Sequence, residues 1–255
     1  MEDYIYFTDY SFPICEFKLD EVDSSRKTTH FHGTGFFIGT EGYFLSAKHV
    51  INSQDFNRSS ATISYGIVLE RDDNDRRQRF AKDIRQLEEH TKYDIVIGKV
   101  DHSPSLLFNS IENAYGWSDV LCFGFPETKK KDYANKYTLR PQFLKGHIVA
   151  QLKEEDLPDL NIPPSYELSF PIPKGVSGGP VFIAGQKVLL GVALMSHDSV
   201  LSRYEDTEII NDTEKYVEKV VTVTQFGIAA NLFEIRDWKP DILEGRSLLE
   251  LIKNG

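Results

Sequence analysis

A serine, a histidine and an aspartate stand in this chain where together they could act on a carbonyl group. Ser177 lies in Gly175-Val176-Ser177-Gly178-Gly179-Pro180, followed by Val181-Phe182-Ile183. A serine hydroxyl is a poor nucleophile that must be exposed, positioned and set beside a base. Glycines around it allow a tight turn that points the backbone N–H groups of Gly175 and Ser177 inward. There they can stabilise the oxyanion of an attacked carbonyl, an effect worth about 3–4 kcal/mol per donor. His49 closes the run Leu45-Ser46-Ala47-Lys48-His49, after a strand opened by Gly33-Thr34-Gly35-Phe36-Phe37-Ile38-Gly39. Asp94 stands directly before Ile95-Val96-Ile97, where a carboxylate is costly unless hydrogen-bonded. An imidazole Nδ1–H supplies that bond, fixes the tautomer and leaves Nε2 to take the serine proton. The predicted catalytic residues are therefore His49, Asp94 and Ser177, with an oxyanion hole from Gly175 and Ser177, and no metal or organic cofactor.

Other arrangements compete less well. Gly33-x-Gly35…Gly39 lacks the spacing of a dinucleotide loop, and no helix follows it. His30-x-His32 could face one side of a strand, but no cysteine or third ligand stands near in sequence. Asp101-His102-Ser103 holds the right residue types as neighbours, which cannot form a relay, and reads as a polar turn.

The order His49…Asp94…Ser177, with intervals of 45 and 83 residues, resembles that of trypsin/chymotrypsin-like serine proteases. It does not fit the orders of subtilisins or α/β-hydrolases. The surrounding motifs are similar to those of bacterial trypsin-like peptidases related to the HtrA (Deg) protease domain. GTGFFIGTEGYFLSAKHV, YDIVIGKV, VLCFGFP, GHIVA, GVSGGPVF, VLLGVAL and FGIAANL occur in the expected order, spanning about residues 15–235. The resemblance implies an all-β fold: two packed antiparallel β-barrels of the chymotrypsin-like kind, with a C-terminal α-helix. Residues 1–110 would form the barrel half carrying His49 and Asp94, 111–235 the half carrying Ser177, and 236–255 the helix. It also implies a substrate pocket from Pro171, Ile172, Ala193, Met195, Ser196 and Gly227. No carboxylate is among them, so an apolar residue before the scissile bond is expected rather than Lys or Arg.

The chain departs from the family in places. It has no Ile-Val-Gly-Gly-type start, and the residue before Ser177 is Val176 rather than an acid, so activation by an inserted N-terminus has no partner. Nothing after Asn231 is long enough for a PDZ domain. The expected activity is that of a serine endopeptidase on protein or peptide substrates, with a regulatory protein partner as an option. The alternative is a non-cleaving protein-binding module on a protease fold.

The elements that must position these residues are mostly strands. Short runs of Val, Ile, Phe and Tyr bounded by Gly, Asn, Asp and Pro predict strands over 35–38, 43–46, 61–69, 95–100, 120–124, 146–151, 181–183, 188–194, 217–224 and 227–230. Phe80–Glu89 reads as a short helix. Asp241–Asn254 reads as a longer one, with Ile242, Leu248, Leu249, Leu251 and Ile252 mostly on one face and a stop at Asn254-Gly255. Asp101–Tyr115 is the natural seam between halves. Glu70–Arg79 and Ser196–Tyr216 read as polar surface excursions.

Composition narrows the class. Of 255 residues, 40% are hydrophobic and 27% charged, with a net charge of −10, which speaks against a general nucleic-acid surface. Lys129-Lys130-Lys131 is the only solid basic run and reads as a solvated loop. No secretory signal or membrane span is evident. Two cysteines, Cys15 and Cys122, allow one disulfide at most, and Cys122 reads as a core residue. The sequons at Asn57 and Asn211 then read as chance matches. A cytoplasmic location is the expectation.

Overall fold

The structure is a computed structural model. It describes residues 7–19, 26–57, 62–73, 76–104, 108–127, 131–133, 136–138, 140–157, 161–211 and 214–253. Lys129, Lys130, Asn254 and Gly255 lie outside the described residues.

Six strands close the first barrel: β1 (Ser11–Leu19), β2 (Arg26–Ile38), β3 (Tyr43–Ser46), β4 (Ile63–Asp73), β5 (Arg76–Glu89) and β6 (Val96–Val100). Their order is β1-β2-β3-β6-β5-β4, and β1 also pairs with β4, so no edge is left open. Phe12, Phe36 and Phe44 fill the interior, fully buried, with the Phe12 and Phe44 rings 5.6 Å apart and edge to face. Each such ring stabilises the barrel by about 2–3 kcal/mol relative to leaving it exposed.

The second sheet holds β7 (Ser110–Ile111), β8 (Asp119–Gly124), β11 (Gln142–Leu152), β12 (Ser165–Leu168), β13 (Pro180–Ile183), β14 (Val188–Asn211) and β15 (Glu214–Asn231). Between β8 and β11 lies a separate small pair, β9 (Lys131–Tyr133) and β10 (Lys136–Thr138). In the large sheet β13 pairs with both β8 and β14, which turns the sheet back on itself. One ladder departs from the expected antiparallel pattern: β7 lies parallel to β14, Val188 opposite Ser110. A short helix, α1 (Ser53–Asn57), follows the turn of His49, and α2 (Leu248–Lys253) closes the described chain.

Two expected helices come out differently. Phe80–Glu89 lies wholly inside β5, paired with β4 on one side and β6 on the other. A bulge between Ile84 and Gln86 breaks the two-residue alternation, which hid the strand pattern, and pairing of 80–83 with β4 and of 84–89 with β6 overrides local propensity. The span 241–254 does not form one helix. Asp241–Leu243 is a single 3-10 turn that stops at Glu244 and Gly245, both left-handed at φ 54° and 89°. Helix α2 then starts afresh: Ser247 N–H donates to the Glu250 carboxylate at 2.7 Å, and Glu250 N–H donates to Ser247 Oγ at 3.3 Å. The two expected excursions are mostly strand as well. Residues 70–73 belong to β4 and 76–79 to β5, and 196–211 and 214–216 belong to β14 and β15, which run on as a long antiparallel ribbon.

Candidate active site

Register brings the first two residues together. β3 and β6 are antiparallel with Ser46 opposite Val96, so the exit of β3 and the entry of β6 share one end of the barrel. His49 follows that exit and Asp94 precedes that entry. His49 N–H donates to Asp94 Oδ1 at 2.9 Å, and His49 Nδ1 lies 2.6 Å from Asp94 Oδ2. With a carboxylate oxygen that close, Nδ1 carries the proton and Nε2 is left as the acceptor. Asp94 N–H donates in turn to Asn161 O at 2.7 Å, across to the segment that leads into β12.

Ser177 is held by the other sheet and tied to the first barrel. Gly178 N–H donates to Ala193 O at 2.7 Å, and Ala193 N–H returns a bond to Gly179 O at 2.8 Å. Thr34, fully buried on β2, donates through its N–H to Ser177 O at 2.9 Å and through Oγ1 to Gly175 O at 2.7 Å. Ser46 Oγ donates to Thr34 O at 2.7 Å, so a line of bonds runs from the nucleophile loop to the strand that ends before His49. The loop tolerates only glycine at 178: φ is 86°, and a Cβ there would lie 2.0 Å from Thr34 O. Among the described residues no hydrogen bond joins Ser177 Oγ to His49.

One of the two expected oxyanion donors, Gly175 N–H, has a definite orientation. Lys174 O accepts from Glu127 N–H at 2.8 Å. Because this peptide is trans, the N–H of Gly175 points the opposite way, away from Glu127. Neither Gly175 N–H nor Ser177 N–H meets an acceptor among the described residues. A Lys174–Glu127 ion pair at 3.0 Å spans the same place at the surface.

Of the six expected pocket residues, three meet. Ser196 lies opposite Gly227 on the β14–β15 ladder, and its hydroxyl accepts from Ile172 N–H at 2.6 Å and contacts Ile172 O at 3.1 Å. A Cβ on Gly227 would fall 2.9 Å from Ile172 Cγ1, so the isoleucine side chain lies against that wall. The other three sit elsewhere. Pro171 faces solvent, Ala193 is fully buried behind the nucleophile loop, and Met195 lines a different cavity. That cavity, about 800 Å³, opens in front of His49 and Asp94 and is bounded by Lys48, Tyr93, Asn161 and Met195. At its edge burial works against the Glu89 carboxylate. Bonds from Lys48 and Ser53 overcome that effect and hold its pKa down at about 2.

Sequence reasoning missed Thr34, Ser46 and Glu127, although Gly33-Thr34-Gly35 and Leu45-Ser46-Ala47 had been singled out as strand ends. It also missed the His197–Glu167 pair at 2.6 Å, which joins β14 to β12 beyond the pocket. Among the described residues no group of three or more His, Cys, Asp or Glu could hold a metal ion. His30 and His32 stack on one another edge to face, 4.7 Å apart.

Two β-units with the nucleophile loop of one bonded to a strand of the other form a chymotrypsin-like double-β architecture. The chain belongs to the trypsin-like peptidase domain family, whose model matches residues 33–192. No curated protein matches it by sequence. Among solved structures it is similar to the HtrA-type protease AlgW with a decapeptide, at 15% identity over 88% of this chain and 61% of that one, TM-score 0.52. It is similar also to Deg5, at 16% identity over 73% of this chain and 80% of that one, TM-score 0.52. The Rv3671c protease of M. tuberculosis in its active form shares 17% identity over 89% of this chain and 78% of that one, TM-score 0.49. These likenesses concern the fold, and family membership supports a serine peptidase.

Proposed function

We propose that the chain is a serine endopeptidase that hydrolyses peptide bonds through an acyl-enzyme on Ser177. The observation that carries this reading is the pair of hydrogen bonds between His49 and Asp94, at 2.9 and 2.6 Å, which leaves Nε2 without a partner among the described residues. In the reaction His49 Nε2 takes the proton of Ser177 Oγ as the oxygen attacks the carbonyl carbon. It then gives that proton to the leaving amine, and water repeats the cycle on the ester. Asp94 keeps the imidazole in the competent tautomer and stabilises its cation. The N–H groups of Gly175 and Ser177 receive the oxyanion. Substrates are proteins or peptides with an apolar residue before the scissile bond. Cys15 and Cys122 are both buried and free, which suits the reducing cytoplasm we propose as its compartment.

A partner-switched form of the same activity is favoured by two features: Ile172 and Ser196 close on Gly227, and Ser177 Oγ is not bonded to His49. A regulatory protein acting on the segment 196–216 would then order the cleft. The test is labelling by a fluorophosphonate probe together with peptide hydrolysis. Wild type labels at Ser177, Ser177→Ala does not label, and His49→Ala and Ser177→Ala both lose turnover while circular dichroism stays native. Retained turnover in folded Ser177→Ala would sink the assignment.

A further inference from the structure

We propose that His90 is a positioning residue for Asp94, a role that rests on the catalytic reading above. His90 opens the segment between β5 and β6, four residues before Asp94. Its Nδ1 accepts two backbone bonds from that segment, from Lys92 N–H at 3.2 Å and Tyr93 N–H at 3.0 Å. Its own N–H donates to Ile95 O at 2.9 Å, and Ile95 N–H donates to Tyr93 O at 2.8 Å. The side chain therefore holds the backbone just before Asp94, while the residue's own N–H reaches the backbone just after it. In water that backbone would lose this set of bonds to competing solvent, and the carboxylate would sample several directions.

The ring is fixed as well as bonded. It stacks on Tyr93 at 4.7 Å with a 20° tilt, and Trp238 meets it edge to face at 4.9 Å. Tyr93 is held in turn, its hydroxyl donating to Glu154. Trp238 belongs to the segment after β15, where its carbonyl accepts from Leu248 N–H at 3.2 Å. The C-terminal segment thus braces the loop that presents Asp94. An unprotonated Nδ1 is required, since a protonated one cannot accept. Burial and the nearby Lys92 charge lower the pKa of His90, which favours the neutral ring that this bonding needs.

Two variants separate the bonding from the stacking. His90→Phe keeps the ring and removes the acceptor. His90→Asn removes the ring but supplies a side-chain oxygen suited to N–H groups two and three residues on. Two readouts apply to the full chain: the far-downfield NMR resonance of the proton between His49 Nδ1 and Asp94, and kcat against KM. In His90→Phe the resonance is lost and kcat falls by roughly 10²-fold, the scale of a displacement of about 1 Å, with KM nearly unchanged. In His90→Asn the resonance returns and kcat recovers to within about fivefold of wild type. A folded His90→Phe with both the resonance and kcat of wild type overturns the proposal, as does His90→Asn behaving like His90→Phe. Failure of the catalytic reading shows separately, as a wild-type protein that keeps the resonance but is neither labelled at Ser177 nor active.

Discussion

The buried hydroxyl of Thr34 donates to the carbonyl oxygen of Gly175 at 2.7 Å, across the junction of the two β-units. The Thr34 hydroxyl oxygen itself accepts from Phe125 N–H at 3.1 Å. Thr34→Val keeps the shape of the side chain and leaves both backbone groups without their partner. Unpaired buried groups cost about 1–3 kcal/mol, and here that loss falls on the loop that carries Ser177. We expect a urea midpoint lowered accordingly, a drop in kcat larger than any change in KM, and restoration of both by Thr34→Ser. A Thr34→Val protein with the midpoint and turnover of wild type would show that this bond positions nothing.

In the proposed reaction, the closure of Ile172 on Gly227 would set the size of residue accepted before the scissile bond. Ile172→Ala removes the side chain that lies against Gly227, and Ser196→Ala removes the hydroxyl that fastens Ile172 to β14. Differences of one or two methylenes in such a pocket are worth about 1–3 kcal/mol. Ile172→Ala is expected to raise kcat/KM for Leu or Phe substrates about tenfold relative to Ala substrates, and Ser196→Ala to shift it in the same direction by less. The check is a peptide-library profile. An unaltered profile in both variants would mean that the pocket lies elsewhere.

The candidate residues were more legible in the chain than their surroundings. Ser177, His49 and Asp94 sit in short apolar or glycine-rich runs whose local constraints are strong, so residue type and spacing suffice to single them out. β1 escaped notice because Pro13 interrupts its apolar run, and β12 because four residues carry little pattern. Phe80–Glu89 read as a helix because the bulge between Ile84 and Gln86 breaks its two-residue alternation. Thr34 could not be recognised as the link to Gly175, since those residues lie 141 positions apart and only the packed barrels bring them together. The meeting of Ile172, Ser196 and Gly227, the burial of Ala193 and the exposure of Pro171 follow likewise from backbone paths that spacing does not encode.

Acid should loosen the site through Glu89. Its carboxylate accepts from Ser53 N–H and Ser53 Oγ, both at 2.6 Å, and pairs with Lys48 at 2.6 Å, next to His49. The folded-state pKa, about 2, lies below the ordinary carboxylate value, so the stabilisation is complete above that ordinary value and is lost as pH falls towards 2. Allowing for solvent screening, we expect wild type to exceed Glu89→Gln by about 1 kcal/mol at neutral pH, with the gap closing in acid. Denaturant titrations at several pH values measure it. A gap that stays constant from neutral pH to pH 3 would rule out the charge as its source.

The ribbon of β14 and β15 should be separable from the catalytic body. From His197 opposite Phe226 to Asn211 opposite Glu214, these strands pair only with each other among the described residues. Val200 and Val223 face each other there and are 58% and 50% exposed. A two-stranded ribbon without a third strand or a packed face is marginally stable in water. Gly227–Ala230, by contrast, also pairs with β12. Amide exchange at 199–224 should therefore be faster than at 227–230. Joining Asp198 to Gln225 through an Asn-Gly turn should move the melting temperature by less than about 3 °C, because a type I′ turn fits the twist of the strands that remain. Basal peptide hydrolysis should persist in that shortened chain, whereas any stimulation by a partner acting on the ribbon should vanish. A melting temperature lowered by ten degrees or more would show instead that the ribbon is part of the folded core.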